Sequence, residues 1–294
     1  MSNIIDGKKI ANSICNELSK KLIILKSKYG IIPGLAVLLV GNDPVSEVYV
    51  KNKISKCKEL GINSFEIQLP ENVLQNQLIK KLEFLNNDPK VHGILVQLPL
   101  PKHIDTDVII NTIVPNKDVD GFSNINVGRL VNNLPGFVPC TPLGCLQLIK
   151  SVRTNLSGLK AVIVGRSSIV GKPMLYLLLQ ENCTVSIVHS KTVNIEDEVK
   201  TADIVVAAVG VPELVNSDWI KPGTIVIDVG INRIIRGKKS MLVGDVNFEK
   251  VKDIAEYITP VPGGVGPMTI AYLISNTIKA ACISKNIDID KIII

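Results

Sequence analysis

The sequence predicts an α/β protein of two domains, an N-terminal α/β domain followed by a Rossmann-like, doubly wound parallel sheet. Three observations carry that expectation. Short apolar runs bounded by glycine alternate with segments of helical spacing, the mark of strands buried on both faces. Four such runs follow one another between residues 161 and 230. The chain has 294 residues, a length that usually divides into about two cores.

Residues 10–29 carry Ile14, Leu18, Leu22 and Leu25 at helical spacing and stop at Gly30. The run Gly-Leu-Ala-Val-Leu-Leu-Val-Gly at 34–41 predicts a buried strand. Asp43 and Pro44 then supply an N-cap and a first-turn proline for a helix that passes Lys53 and Leu60 and stops at Gly61. A strand at 64–69 and a helix at 74–85 follow, and the apolar strand 93–98 has to end at Pro99. Around 137–142 the pattern resets, with Thr141 and Pro142 expected as cap and first turn of a helix through Lys150. Strands are expected at 161–165, 184–188, 203–210 and 224–230, with helical spacers between the earlier ones, and a last helix from Met268 to about Lys285. The resulting division is a first domain over 1–140, a second over 141–267, and a final helix, 268–294, packed back on the first.

Composition narrows the function. Hydrophobic residues make up 46% and charged residues 20%, and the 21 Gly and 16 Pro follow no fixed period, so fibrous and disordered classes fail. The 33 basic and 27 acidic residues leave a scattered net +6, which suits small anionic ligands. One Trp, five Tyr and five Phe, spread widely, are few stacking platforms, so no nucleic-acid partner is expected. Cysteines at 15, 57, 140, 145, 183 and 282 form no C-x-x-C pair, with only three histidines to assist them, so no metal site is expected. The N-terminus has no apolar signal core and no run reaches the ~18 apolar residues of a membrane span. The expected setting is a reducing cytoplasm.

Several segments have the residue types that chemistry uses. Gly165-Arg166-Ser167 and Gly171 lie between a strand and a helix, where backbone N–H groups hold phosphate. The G-x-G-x-x-G spacing is broken, because Ser167 and Val170 occupy its second and third glycine positions, and a plain strand-to-helix turn is the competing reading. Arg166 in the turn, and a second strand ending His189-Ser190-Lys191 without an acidic residue, favour NADP over NAD. Tyr49 and Lys53 share a helix face, yet the residues alone do not separate Lys53 from Lys51, Lys56 and Lys58 as one more solvated charge. Gln97 closes an apolar strand, where a polar side chain needs a partner or a task. Asp118 and Asp120 stand in one turn with Gly121, without the later ligands of a calcium loop. Three glycines among three prolines at 260–267 make a rigid, close-approach loop before a helix.

Taken together, Tyr49-Val-Lys-Asn-Lys53, Val96-Gln-Leu-Pro-Leu-Pro101, Lys117-Asp-Val-Asp-Gly-Phe122, Gly165-Arg-Ser167 with Val170-Gly-Lys-Pro173, and Pro260-Val-Pro-Gly-Gly-Val-Gly-Pro267 resemble the bifunctional methylenetetrahydrofolate dehydrogenase/methenyltetrahydrofolate cyclohydrolase family, known in bacteria as FolD. The resemblance runs from near Ile4 to the last helix. It implies NADP-dependent oxidation of 5,10-methylenetetrahydrofolate, hydrolysis of the methenyl product to 10-formyltetrahydrofolate, and one folate site for both, in a cleft between a catalytic domain and the NADP-binding domain. It implies Lys53 as the catalytic lysine, Tyr49 packed on the folate, Gln97 orienting the lysine and Asp120 holding the pterin. Leu98, Pro262, Gly263 and Gly266 would line the folate site, and Gly165, Arg166, Ser167, Ser190 and Ile231 the cofactor site. A cytoplasmic homodimer is implied too. Two rivals are a dehydrogenase without cyclohydrolase activity and a catalytically silent NADP-binding regulator.

Overall fold

The computed structural model describes residues 3–237 and 239–288, which form two compact units. One is Ser13–Val138 with the chain from Ile270; the other is the chain up to Asn12 with Pro139–Thr269.

The first unit is built on three parallel strands in the spatial order Asn63–Leu69, Gly34–Val40, Gly93–Val96. The central strand is buried at every residue, which is why it reads as an unbroken apolar run. In the strand Asn63–Leu69 the half-buried Phe65, Ile67 and Leu69 pack against the core while Glu66 and Gln68 between them are exposed. Helices Pro44–Glu59, Gln75–Asn87 and Thr106–Thr112 follow the strands, and Leu38, Leu78, Leu82, Ile94 and Ile109 meet in one core. The expected cap is in place: Asp43 Oδ2 accepts from the N–H of Ser46 at 2.8 Å and Pro44 opens the helix.

The second unit is a six-stranded, wholly parallel sheet in the spatial order Asn3–Ile4, Tyr257–Ile258, Ile225–Asp228, Ile204–Ala207, Lys160–Val164, Thr184–Val188. Starting from Lys160–Val164 in the chain, the order is second, first, third, fourth, fifth. It therefore reverses between Lys160–Val164 and Ile204–Ala207, and doubly wound sheets bind ligands at the carboxyl ends of the strands beside that point. Val162, Val164, Val205 and Val226 fill the core with Trp219 and Ile258.

Three local readings are corrected. The helix expected to start at Thr141 and Pro142 starts at Cys140, with Pro139 at the cap position, and the Thr141 hydroxyl lies 3.0 Å from that of Thr269. Proline already presets the backbone angle there, which frees the hydroxyl for a tertiary partner. The strand expected through residue 98 ends at Val96, although the N–H of Gln97 still reaches Leu38 O at 2.9 Å. The parallel sheet also gains Asn3–Ile4 and Tyr257–Ile258, two-residue strands too short to show a period. An antiparallel ribbon of Asn232–Arg236 and Lys239–Val243 follows the fourth main strand. Among the described residues no helix is long and apolar enough to cross a membrane.

Candidate active site

The helix Pro44–Glu59 places four lysines in four environments, and tertiary structure distinguishes what spacing did not. Lys51 Nζ lies 3.6 Å from Glu47, and Lys56 pairs with Glu59 at 2.9 Å, both local surface ion pairs along the helix. Lys58 is exposed. Lys53, half-buried, instead donates from Nζ to Gln97 Oε1 at 3.0 Å, across 44 residues of sequence. The Gln97 amide is itself oriented, because its Nε2 donates to Leu98 O at 2.8 Å and so turns Oε1 toward the lysine. Tyr49 sits one turn before Lys53, half-buried, and burial raises its phenol above the ordinary value. Leu98 is half-buried and precedes a cis proline, Pro99.

The two carboxylates of the turn have different surroundings. Asp118 is 1% exposed and accepts from the N–H groups of Gly121 (3.0 Å), Phe122 (3.2 Å) and Ser123 (2.9 Å) and from the Asn126 side chain (2.9 Å). Its oxygens are spent on organising the turn. Gly121 takes φ +71°, and Asn276 donates from Nδ2 to Val119 O at 2.8 Å. Asp120, half-buried, is thus carried on a segment braced on both sides.

In the other unit the cofactor candidates gather at the carboxyl ends of the parallel strands. Gly165 follows Lys160–Val164 with φ +121°, and a Cβ there would stand 2.2 Å from Ala208 O, at the end of the neighbouring strand. A Cβ on Gly171 would stand 2.2 Å from Gly165 O. These two residues therefore supply the close backbone approaches that the broken glycine pattern left unexplained. Ser167, in place of a second glycine, ties the turn to the helix: its Oγ accepts from the N–H groups of Val170 (3.1 Å) and Gly171 (3.2 Å) just before and at the start of the helix Gly171–Gln180. Arg166 and Ser167 are exposed in this turn. Ser190 is exposed at the end of Thr184–Val188, on a tight turn closed by Thr192 N–H to His189 O at 2.7 Å. Ile231 follows Ile225–Asp228, 39% exposed. Crowded glycines at the switch point, a helix start and an exposed arginine make a cradle that fits a dinucleotide phosphate.

Of the glycine-proline loop, Gly263 takes φ +107° and its carbonyl accepts from Lys8 N–H at 2.9 Å; Pro262 is exposed. Gly266 opens the helix Val265–Ile283, and a Cβ on it would be 3.7 Å from Ile231 Cδ1. Lys53, Gln97, Tyr49, Leu98 and Asp120 thus belong to one unit, and Gly165, Arg166, Ser167, Ser190, Ile231, Pro262, Gly263 and Gly266 to the other. Asp118 and Asn276 were not separated out by sequence reasoning. Their signal is burial and distant donors, which no local pattern carries.

Strand order and phosphate cradle define a doubly wound, dinucleotide-binding α/β protein. Residues 5–120 match the family described as tetrahydrofolate dehydrogenase/cyclohydrolase, catalytic domain, and residues 139–285 match its NAD(P)-binding domain. "Bifunctional protein FolD" of Wolbachia pipientis subsp. Culex pipiens is 60% identical over 98% of each chain. A crystal structure of the bifunctional enzyme FolD from Campylobacter jejuni is 50% identical with a TM-score of 0.92, covering 97% of this chain and 99% of that one. The FolD structure from Trypanosoma brucei, complexed with NADP cofactor and an inhibitor, is 39% identical with a TM-score of 0.93, covering 97% and 98%. The chain belongs to the tetrahydrofolate dehydrogenase/cyclohydrolase family.

Proposed function

We infer that this chain is a bifunctional enzyme that oxidises 5,10-methylenetetrahydrofolate with NADP and hydrolyses the resulting methenyl cation to 10-formyltetrahydrofolate. Bound NADP supplies the hydride acceptor. The residues of this chain do the rest. Gly165, Arg166, Ser167, Ser190 and Ile231 hold the dinucleotide, with the exposed Arg166 guanidinium suited to a 2'-phosphate. Tyr49 packs on the folate, Asp120 accepts from the pterin amino and ring N–H groups and Leu98 lines the same unit's part of the site, while the family resemblance assigns Pro262, Gly263 and Gly266 to folate binding as well.

Lys53 handles the protons. In the hydrolysis a water oxygen bonds to the methenyl carbon, the bond from that carbon to N5 breaks, one proton of the water ends on N5 and the other is released. An amine held at one hydrogen-bonding position can take a proton from the water and return it to nitrogen. Gln97 uses one of the lysine's donors and fixes where the others point. The observation that carries this reading is the 3.0 Å bond from Lys53 to Gln97, which singles out one lysine among four. A homodimer in the cytoplasm, as the family resemblance implies, is part of the same proposal.

The test is Lys53→Met, which keeps most of the stem's packing. Cyclohydrolase activity should fall at least about a hundredfold, the scale of lost acid-base catalysis, and the dehydrogenase should be severely impaired, with NADP binding retained. Lys51→Met, which loses only a surface ion pair, should stay close to wild type. Substantial hydrolysis by the Lys53 variant would remove that residue from the mechanism.

A further inference from the structure

In the six-stranded unit, the loops that follow Ile204–Ala207 and Ile225–Asp228 are tied together by a carboxylate outside every motif noted above. Asp245 is wholly buried. Its Oδ2 accepts from the N–H groups of Val209 (2.7 Å) and Gly210 (2.9 Å), and its Oδ1 from the side-chain amide of Asn232 (2.8 Å). Asp228, 2% exposed, orders the same corner: its Oδ1 accepts from Gly230 (3.1 Å) and Asp245 (2.8 Å) N–H, and its Oδ2 from Val246 N–H (3.0 Å). Two glycines clear the space. A Cβ on Gly230 would stand 2.1 Å from Asp245 Oδ1, and one on Gly244 1.7 Å from Asp228 Oδ2.

Burying a carboxylate is unfavourable unless its acceptor positions are filled in a defined geometry. The groups filling those of Asp245 come from the loop after Ile204–Ala207 and from Asn232, the first residue of the antiparallel ribbon that follows Ile225–Asp228. Val209 and Gly210 directly follow Ala208, whose carbonyl lies against Gly165. Asn232 directly follows Ile231. Being wholly buried, the Asp245 side chain acts on a ligand only through these neighbours.

We propose that Asp245 is a positioning residue for the NADP site, holding through Val209, Gly210 and Asn232 the two strand-end loops that present Ala208 and Ile231 at the crevice. This rests on the NADP reading above. Asp228 supports it by fixing the backbone of Asp245 itself.

The experiment exchanges donor and acceptor. In Asp245→Asn the amide oxygen can still accept from Val209 and Gly210, but its NH2 then faces the NH2 of Asn232. In Asn232→Asp two carboxylates face each other. Each single variant should raise the NADP dissociation constant, measured by calorimetry, by about tenfold or more, the loss of a charge-assisted bond. The double variant Asp245→Asn with Asn232→Asp restores one donor and one acceptor, and should return to within about threefold of wild type. The Michaelis constant for NADP should follow the same order while kcat at saturating NADP changes little. Where Asp245→Asn does not fold, Asn232→Ala removes only the amide and should still raise the NADP dissociation constant several-fold without a matching loss of melting temperature. Single variants that bind NADP like wild type, or a double variant no better than the weaker single, would overturn the proposal. Failure of the unaltered protein to bind NADP would instead overturn the cofactor reading, and is seen in the first titration.

Discussion

Two aspartates two positions apart show how much of a residue's role is set by what donates to it. Asp118 receives four N–H groups, three of them backbone, while Asp120 is carried by the turn that Asp118 closes. Sequence reading sees the same side chain twice, since both are polar residues in a glycine-containing turn. The lysines of Pro44–Glu59 pose the same problem: helical spacing places Tyr49 and Lys53 on one face but is silent on which amine meets Gln97, because Gln97 arrives from the segment just past the strand Gly93–Val96. Asp120→Ala should weaken folate binding by about 1.5–3 kcal/mol, the scale of a charge-assisted hydrogen bond, with NADP affinity nearly unchanged. A folate titration that gives the wild-type dissociation constant would remove Asp120 from the pterin site.

At the scale of elements, the long apolar strands were legible and their fastenings were not. Gly34–Val40 announces itself by seven buried residues in a row. What anchors its start is His92: the His92 N–H donates to Gly34 O at 2.8 Å, and Nδ1 accepts from Gly34 N–H at 3.0 Å. An accepting Nδ1 requires the neutral ring. Burial, and then the charges of Lys117 and Lys285, hold His92 below the ordinary histidine value, with Asp88 opposing. The unfolded chain takes up this proton near pH 6.5 and the folded chain only at lower pH, so this contribution to stability is present above about pH 6.5 and is lost as pH falls below it. Denaturation at pH 5 and pH 7 should therefore show a larger loss for the wild type than for His92→Gln, whose amide oxygen can accept without titrating. An equal loss in both would show that His92 does not carry the pH dependence.

At the scale of the whole molecule, the doubly wound sheet was legible as four apolar runs in order, and its strand reversal brings together the ends at Gly165, Ser190 and Ile231. The first residues of the chain were not legible in the same way. The pairing of Asn3–Ile4 with Tyr257–Ile258 joins segments some 250 residues apart through two-residue strands, and only the folded sheet reveals it. The broken glycine pattern after Lys160–Val164 has a related reason: Gly171 meets the Gly165 carbonyl in space, six residues along, and Ser167, where the pattern leads one to expect glycine, accepts from the N–H groups of Val170 and Gly171. One chain carries both the Lys53–Gln97 pair and the phosphate cradle, and so should run two consecutive reactions. The direct measurement follows the absorbance of the methenyl compound and of reduced NADP after 5,10-methylenetetrahydrofolate and NADP are mixed with the protein, and then follows the methenyl compound supplied alone. Reduced NADP should form in the first stage, and in the second the methenyl absorbance should decay much faster than without protein. Reduction of NADP with no acceleration of that decay would rule out the bifunctional enzyme and leave a dehydrogenase only, and absence of both changes would leave no enzyme at all.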